Sequence, residues 1–171
     1  ITTMAKQLSS GYLPAAGAIV RKDVADTFLG GEDEKFRHLY TYGGHPIAAA
    51  AALANLKIIE DEDLVENSAT MGQYLFERLQ VLYRHPFVGD IRGGKGLFAA
   101  IELVKDRASK EQFPVAMRIG DRITDLLDSH DLLTRADNVI PILPPLITTS
   151  DDINFIVEGI DQALSDFANN L

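Results

Sequence analysis

The sequence predicts a fold of the α/β class, in which helices pack on short strands. Apolar residues recur at helical spacing in four stretches, and short β-branched runs bounded by glycine, proline or charged residues separate them. The 171 residues are 46% hydrophobic and 24% charged, as in an ordinary globular chain that buries a real core. We therefore expect one domain or two.

The composition also narrows the classes of partner. A net charge of −9 argues against a nucleic acid, because phosphate backbones are bound by clustered lysine and arginine. The chain has no cysteine for disulfide or thiol chemistry, and no apolar run approaches the roughly 18 residues of a membrane-spanning helix. We expect a soluble, cytoplasmic protein that binds neither nucleic acid nor a membrane, and we assign no metal ligand.

The first part of the chain carries short elements. Small and β-branched residues predict a buried strand at 13–20, in which Gly17 permits close approach of another backbone. A brief helix is predicted at 23–28, followed by a polar loop at 30–35.

The longer helices begin after residue 46. Alanine, the best helix former, dominates 47–60. Asp63 and Glu66 then have the spacing of a capping box, which predicts the start of a second helix that ends at 84–86.

A glycine-rich stretch at 93–96 precedes a predicted strand at 97–104. Its Arg and Lys neighbours could indicate a phosphate cradle, but neither the P-loop nor the dinucleotide-binding spacing is present. A glycine hairpin is therefore the favoured interpretation.

The last third predicts a helix, a strand and a helix. Pro114 opens the third helix, whose apolar residues form one stripe. The strand at 138–147 contains Pro141, which indicates an edge strand or a break. Thr149 or Ser150 caps the final helix at 151–167.

Lys6 is the first candidate for chemistry. It stands alone in a small, largely uncharged setting, with Ser9, Ser10 and Gly11 behind it. A lysine amine that is kept partly neutral can form a Schiff base with a carbonyl compound. Taken alone, the lysine is better explained as a solvated surface charge.

A second stretch, Thr41-Tyr42-Gly-Gly-His-Pro46, changes that interpretation. With Ala5-Lys6 it resembles the class III pyridoxal-phosphate aminotransferases, the omega-aminotransferase group of fold type I. The resemblance implies that Lys6 carries pyridoxal phosphate and acts as the catalytic residue. It also implies that Thr41 binds the cofactor phosphate across a homodimer interface. Leu39 departs from the family pattern, which has glycine there.

Arg135 is the candidate substrate ligand. It precedes a strand and Pro144-Pro145-Leu146, as does an arginine of the family that binds the substrate carboxylate. A guanidinium suits this role because it stays charged and makes paired bonds to a carboxylate. The alternative is a surface ion pair.

The resemblance also implies a domain organisation. Residues 1–45 resemble the tail of the large pyridoxal-phosphate-binding α/β domain. Residues 46–171 resemble the interdomain helix and the small α+β domain, with helices on a short, mostly antiparallel sheet. We interpret the chain as the C-terminal part of such an enzyme. We expect residues 1 to about 40 to be displaced, poorly packed or used in an intermolecular contact.

Three functions follow from the resemblance. The first is transfer of an amino group from an amine or omega-amino acid to a keto acid such as pyruvate. The second is another reaction of the same family, by an aminomutase or a racemase. The third is an inactive folded remnant that acts only in oligomerisation. We do not expect these 171 residues alone to be active.

Overall fold

A computed structural model describes residues 1–170. The chain divides into two compact units, Ile1–Asp63 and Leu64–Leu171. The helix after residue 45 therefore belongs to the first unit of this chain. The predicted boundary at 45/46 refers to the domains of a whole enzyme and stays a prediction.

The first unit consists of one hairpin and two helices. Strand β1 (Thr2–Met4) pairs antiparallel with β2 (Gly17–Ile19), so the strand predicted at 13–20 is shorter than expected. Helix α1 (Lys22–Asp26) follows, and helix α2 (Pro46–Asp61) contains the alanine run. Short 3₁₀ turns span Lys6–Leu8 and Glu32–Glu34.

Few side chains of the first unit are buried. Among residues 1–63, Ser9 and Ala52 are the buried ones. Many large apolar side chains are exposed, among them Ile1, Tyr12, Ile19, Leu29, Phe36, Leu39, Tyr42, Ile47 and Leu53. This agrees with the expectation that residues 1 to about 40 are poorly packed.

The second unit places three helices on a three-stranded sheet. Its elements are α3 (Leu64–Leu79), a 3₁₀ turn (Gln80–Arg84), β3 (Val88–Arg92), β4 (Ala99–Leu103), a 3₁₀ turn (Val115–Met117), α4 (Ile119–Ser129), β5 (Val139–Ile142) and α5 (Ser150–Asn169). The sheet order is β3-β4-β5, and both pairs are antiparallel. The predicted mostly antiparallel sheet under helices is confirmed.

One hydrophobic core holds the second unit together. Helix α5 contributes Phe167, whose ring meets Phe87 edge-on at 5.3 Å and Phe113 at 5.9 Å between centroids. The sheet adds a row of paired isoleucines, since Ile101 lies opposite both Ile91 and Ile140. All six side chains are buried, which removes their apolar surface from water.

Glycine determines how closely α3 approaches the hairpin between β3 and β4. A Cβ on Gly72 of α3 would lie 2.2 Å from the carbonyl oxygen of Gly96. Gly94 and Gly96 have φ of 83° and 72°, the left-handed region that glycine tolerates. The amide of Leu97 donates to Ser68 Oγ of α3 at 3.2 Å, which fixes this contact. The predicted glycine hairpin is confirmed.

Helix α3 begins at Leu64, where the second long helix is predicted to start, but two details of the predicted helix starts are wrong for the same physical reason. Asp63 does not cap α3, because its φ of 49° is left-handed and an N-cap needs extended backbone. The helix predicted from Pro114 is interrupted at Arg118, whose φ of 47° cannot continue a right-handed helix. Helix α4 therefore begins at Ile119.

The cap of α5 and the edge position of β5 are confirmed. Thr149 Oγ1 accepts the amide of Asp152 at 3.3 Å, and the carboxylate of Asp152 accepts the amide of Thr149 at 2.8 Å. The pKa of Asp152 is lowered by the hydrogen bond from the Thr149 hydroxyl and, to a smaller extent, by the hydrogen bond from the Thr149 amide. At the sheet edge Pro141 lies opposite Ala100. The carbonyl of Pro141 accepts a hydrogen bond from the Thr134 hydroxyl at 3.1 Å.

Among the helices of residues 1–170, none combines the length and apolarity that crossing a bilayer requires.

Candidate active site

Lys6 lies in the 3₁₀ turn directly after β1, in a strained conformation. Its φ is 54°, a left-handed value that a residue with a Cβ adopts at a cost in free energy. Such outliers persist where the surrounding structure holds them, and they cluster at functional sites. The sequence predicted the residue but not this backbone.

The side chain of Lys6 is exposed and has no ion pair or hydrogen bond within residues 1–170. Most other lysines are paired with carboxylates, namely Lys22, Lys35, Lys57 and Lys105. The amine of Lys6 is therefore free to react with a carbonyl group.

Asn55 of α2 contacts the segment that follows Lys6, and the sequence analysis missed it. Its carboxamide bonds to Gln7, Leu8 and Ser10, more than 40 positions earlier. Nothing local distinguishes this asparagine from any polar residue on a helix. Its contact depends on tertiary packing.

Thr41 lies in an exposed turn that leads into α2. The amide of Gly43 donates to Tyr40 O at 3.0 Å, and Gly44 has a φ of 70°. His45 caps the helix by accepting the amide of Ala48. The Thr41 hydroxyl has no hydrogen bond within residues 1–170, so it can donate to a ligand.

The chain leading to Thr41 is ordered by aromatic contacts. Phe36 meets Phe28 edge-on at 5.3 Å and His38 at 5.7 Å, and His38 meets Tyr40 at 4.7 Å. Leu39, which replaces the family glycine, does not have positive φ. This departure from the family pattern therefore adds no backbone strain.

Arg135 lines a cleft of about 720 Å³ in the second unit. Apolar residues form part of its wall, including Phe113, Pro114, Val115, Val139 and Pro141. A second arginine of the cleft, Arg118, is paired with Asp121 at 2.6 Å. Arg135 has no such partner within residues 1–170, so the ion-pair alternative has no support in the structure.

The residues of the first unit suit pyridoxal phosphate in their chemistry. The cofactor requires a free amine for its aldehyde and hydrogen-bond donors for its phosphate. Lys6 offers the first and Thr41 the second, and neither side chain is engaged elsewhere in residues 1–170. Within the same range, no group of three His, Cys, Asp or Glu side chains could hold a metal ion.

Comparison with known proteins identifies the family. The model of the family "Aminotransferase class-III" matches residues 1–164, nearly the whole chain. The chain belongs to the class III aminotransferases. The resemblance stated from the Lys6 and Thr41 motifs is thereby confirmed.

Individual class III aminotransferases are similar along almost the entire chain. An uncharacterised aminotransferase of Bacillus subtilis, YhxA, is 39% identical over 171 residues, which cover 95% of this chain and 38% of that protein. The taurine–pyruvate aminotransferase of Bilophila wadsworthia is 40% identical, over 96% of this chain and 38% of its own length. The chain thus spans about 38% of the length of these relatives.

A solved structure confirms the predicted fold class. The (S)-enantioselective omega-transaminase of Thermomicrobium roseum superposes with a TM-score of 0.91 at 39% identity. The match covers 96% of this chain and 36% of that one. The backbone of this class III aminotransferase chain therefore follows that of the omega-transaminase. The roles of Lys6, Thr41 and Arg135 remain predictions.

Proposed function

We propose that the protein containing this chain transfers an amino group from an amine or omega-amino acid to a keto acid such as pyruvate. The observation that carries the proposal is the unpaired Lys6, held in a strained turn at the position that matches the cofactor lysine of the family. The names of the relatives support the substrate class, since one is a taurine–pyruvate aminotransferase and another an omega-transaminase.

Lys6 is proposed to act twice. When bound, pyridoxal phosphate would supply an electron sink for the negative charge that develops at the substrate carbon bearing the amino group. The amine of Lys6 would hold the cofactor covalently until an amino donor takes its place. The freed amine would then move a proton, as general base, at the substrate carbon that bears the amino group.

Thr41 is proposed to bind the cofactor phosphate of a partner subunit in a homodimer. Its hydroxyl lies in the turn that precedes α2, and the amides at a helix N-terminus favour an anion. Each subunit would then complete the site of the other.

Arg135 is proposed to bind the substrate carboxylate. Its guanidinium can make two parallel bonds to a carboxylate, and the apolar wall of the cleft suits a carbon chain. A cytoplasmic location, predicted from the sequence, stays a prediction.

The decisive experiment traps the cofactor on its lysine. The protein containing this chain is loaded with pyridoxal phosphate, reduced with borohydride, digested and analysed by mass spectrometry. We expect the pyridoxyl group on Lys6. Lys95 is the internal control, because it also has no ion pair within residues 1–170. Modification of Lys95 with Lys6 left unmodified would refute the assignment.

The dimer proposal has its own test. Lys6→Ala and Thr41→Ala proteins are each expected to be inactive, and mixing them under subunit exchange should restore activity. In a mixed dimer one site carries both defects and the other is intact. No recovery on mixing, with exchange verified by mass, would contradict the shared site.

Consumption of the keto acid distinguishes the three possible functions. An aminotransferase consumes one keto acid for each amino group moved, whereas an aminomutase or racemase isomerises the amino compound and consumes none. A remnant that acts only in oligomerisation would show neither reaction and no pyridoxyl-Lys6.

A further inference from the structure

We infer that Asn55 is a positioning residue for Lys6, an inference that rests on the proposed function of Lys6. Within residues 1–170 Asn55 makes no hydrogen bond to the lysine side chain. It holds the backbone from which the lysine projects.

The contacts of Asn55 are directed at the turn that contains Lys6. Its Nδ2 donates to Gln7 O at 2.7 Å and to Leu8 O at 3.4 Å. Its Oδ1 accepts the hydroxyl of Ser10 at 2.6 Å. The carboxamide thus bonds to three of the four residues that follow the lysine, and all of these residues belong to the first unit.

These bonds explain how the strained turn is held. A left-handed lysine relaxes to right-handed backbone unless its neighbours are fixed on both sides. Before Lys6 the chain is held by the β1–β2 ladder, in which Met4 lies opposite Gly17. After Lys6 it is held by Asn55. The turn also has a bond of its own, from the Leu8 amide to Ala5 O at 3.1 Å. The carboxamide of Asn55 adds the tie to α2 that, we infer, keeps Lys6 at its φ of 54°.

The same helix follows the turn that contains the predicted phosphate ligand, Thr41. Helix α2 begins at Pro46, directly after the turn that contains Thr41, and Asn55 lies in its third turn. One rigid element therefore connects the Thr41 turn with the Lys6 turn. Loosening Asn55 should disturb the lysine without unfolding the helix.

Hydrogen bonds that only stabilise the fold would have the same geometry as those of Asn55. A control residue with equivalent bonds is therefore needed, and the chain offers one in Asn67. Asn67 of α3 is half-buried like Asn55, and its Nδ2 also donates to two carbonyls, Leu146 O at 2.6 Å and Thr148 O at 3.1 Å. It lies in the second unit. Asn67→Ala therefore removes an equivalent pair of bonds away from Lys6.

The experiment compares Asn55→Ala, Asn67→Ala and the unaltered protein in two assays. Pyridoxal phosphate is titrated and its binding followed by absorbance. The cofactor-free protein is labelled with a trace of acetic anhydride, and the ratio of acetylated Lys6 to acetylated Lys95 is measured by mass spectrometry. The second assay reports the environment of the amine and is independent of catalysis.

We expect Asn55→Ala to weaken cofactor binding about tenfold, because two to three hydrogen bonds are lost. The Lys6 to Lys95 ratio should change at least twofold, roughly the effect of losing one such bond. Helix α2 should persist, since alanine is a better helix former than asparagine. Asn67→Ala should alter neither readout. Equal behaviour of the two variants would overturn the inference.

Two outcomes separate this inference from the proposed function. If borohydride does not trap the cofactor on Lys6 in the unaltered protein, the proposed function fails. If Lys6 is trapped and Asn55→Ala binds and labels like the unaltered protein, only the positioning role fails. Should Asn55→Ala not fold, Ser10→Ala decides. It removes the 2.6 Å bond to Asn55, together with a longer 3.5 Å bond to Gln7 Oε1 inside the turn, and should weaken binding about threefold. Unchanged binding and labelling would overturn the inference.

Discussion

Replacing Gly72 with alanine should destabilise the second unit, although alanine normally strengthens a helix. In a helix interior, alanine is favoured over glycine by about 0.5–1 kcal/mol. Here the new Cβ would lie 2.2 Å from the carbonyl oxygen of Gly96, where contacts under 3.0 Å essentially never occur. Either α3 or the hairpin must therefore move by about 1 Å, as expected for overpacking.

The size of the effect follows from two opposing contributions. Overpacking typically costs about 1–3 kcal/mol, and a contact with backbone atoms belongs at the upper end of that range. Movement of the hairpin also lengthens the bond from the Leu97 amide to Ser68 Oγ. After subtraction of the helix gain we expect a net loss of about 2 kcal/mol. For a unit of this size that lowers Tm by roughly 10 °C.

Thermal and urea unfolding, followed by circular dichroism, measure this loss. Thr70→Ala is the control, because Thr70 is exposed on the same helix and its replacement should leave Tm unchanged or slightly higher. A Gly72→Ala protein as stable as the Thr70→Ala protein would show that α3 and the hairpin do not meet as described.

Three further predictions concern other residues. In the protein containing this chain, Arg135→Ala should lower kcat/KM for acidic acceptors such as pyruvate, by an amount equivalent to on the order of 2–4 kcal/mol of transition-state binding. It should leave kcat/KM for uncharged amine donors unchanged. Equal losses for both classes would indicate a structural role. Thr149→Ala should cost about 1 kcal/mol in urea unfolding, through the lost cap of α5. Because hydrogen bonds lower the pKa of Asp152, its contribution to stability is present above the ordinary value of 3.8 and is lost as the pH falls below it. The Tm difference between the unaltered protein and Asp152→Asn should therefore shrink on acidification, and a constant difference would argue against this linkage.

Elements with local signals could be predicted from the sequence. The helix predicted at 47–60 is observed at Pro46–Asp61, because alanine propensity, a capping His45 and a proline at the first helical position act within a few residues. Thr149 caps α5 for the same reason. The edge position of β5 could be inferred because Pro141 lacks an amide hydrogen wherever it is placed.

Features set by tertiary packing could not be predicted. Asp63 and Arg118 adopt left-handed backbone, and nothing in their side chains requires it. The approach of Gly72 to Gly96 joins residues that are far apart in the sequence. Binary pattern and propensity describe neighbours along the chain, so they carry no information on such contacts.

The candidate site shows the same division. Lys6, Thr41 and Arg135 were found because each lies in a short motif that resembles the family. The strain at Lys6 and the bonds from Asn55 are properties of the folded chain, and no motif marks them. The chemistry of the site could be proposed from the sequence, whereas the hydrogen bonds that hold the Lys6 turn became visible only in the structure.

The outer edge of β5 limits how molecules of this protein can associate. An exposed strand recruits a strand from another molecule through free amide and carbonyl groups, and this is a common route to aggregates. Pro141 has no amide hydrogen to offer, and Thr134 already occupies its carbonyl. An incoming strand would therefore find neither group at the middle of the edge. Strand addition at the β5 edge should therefore be blocked at concentrations where an open edge of this length would nucleate fibres.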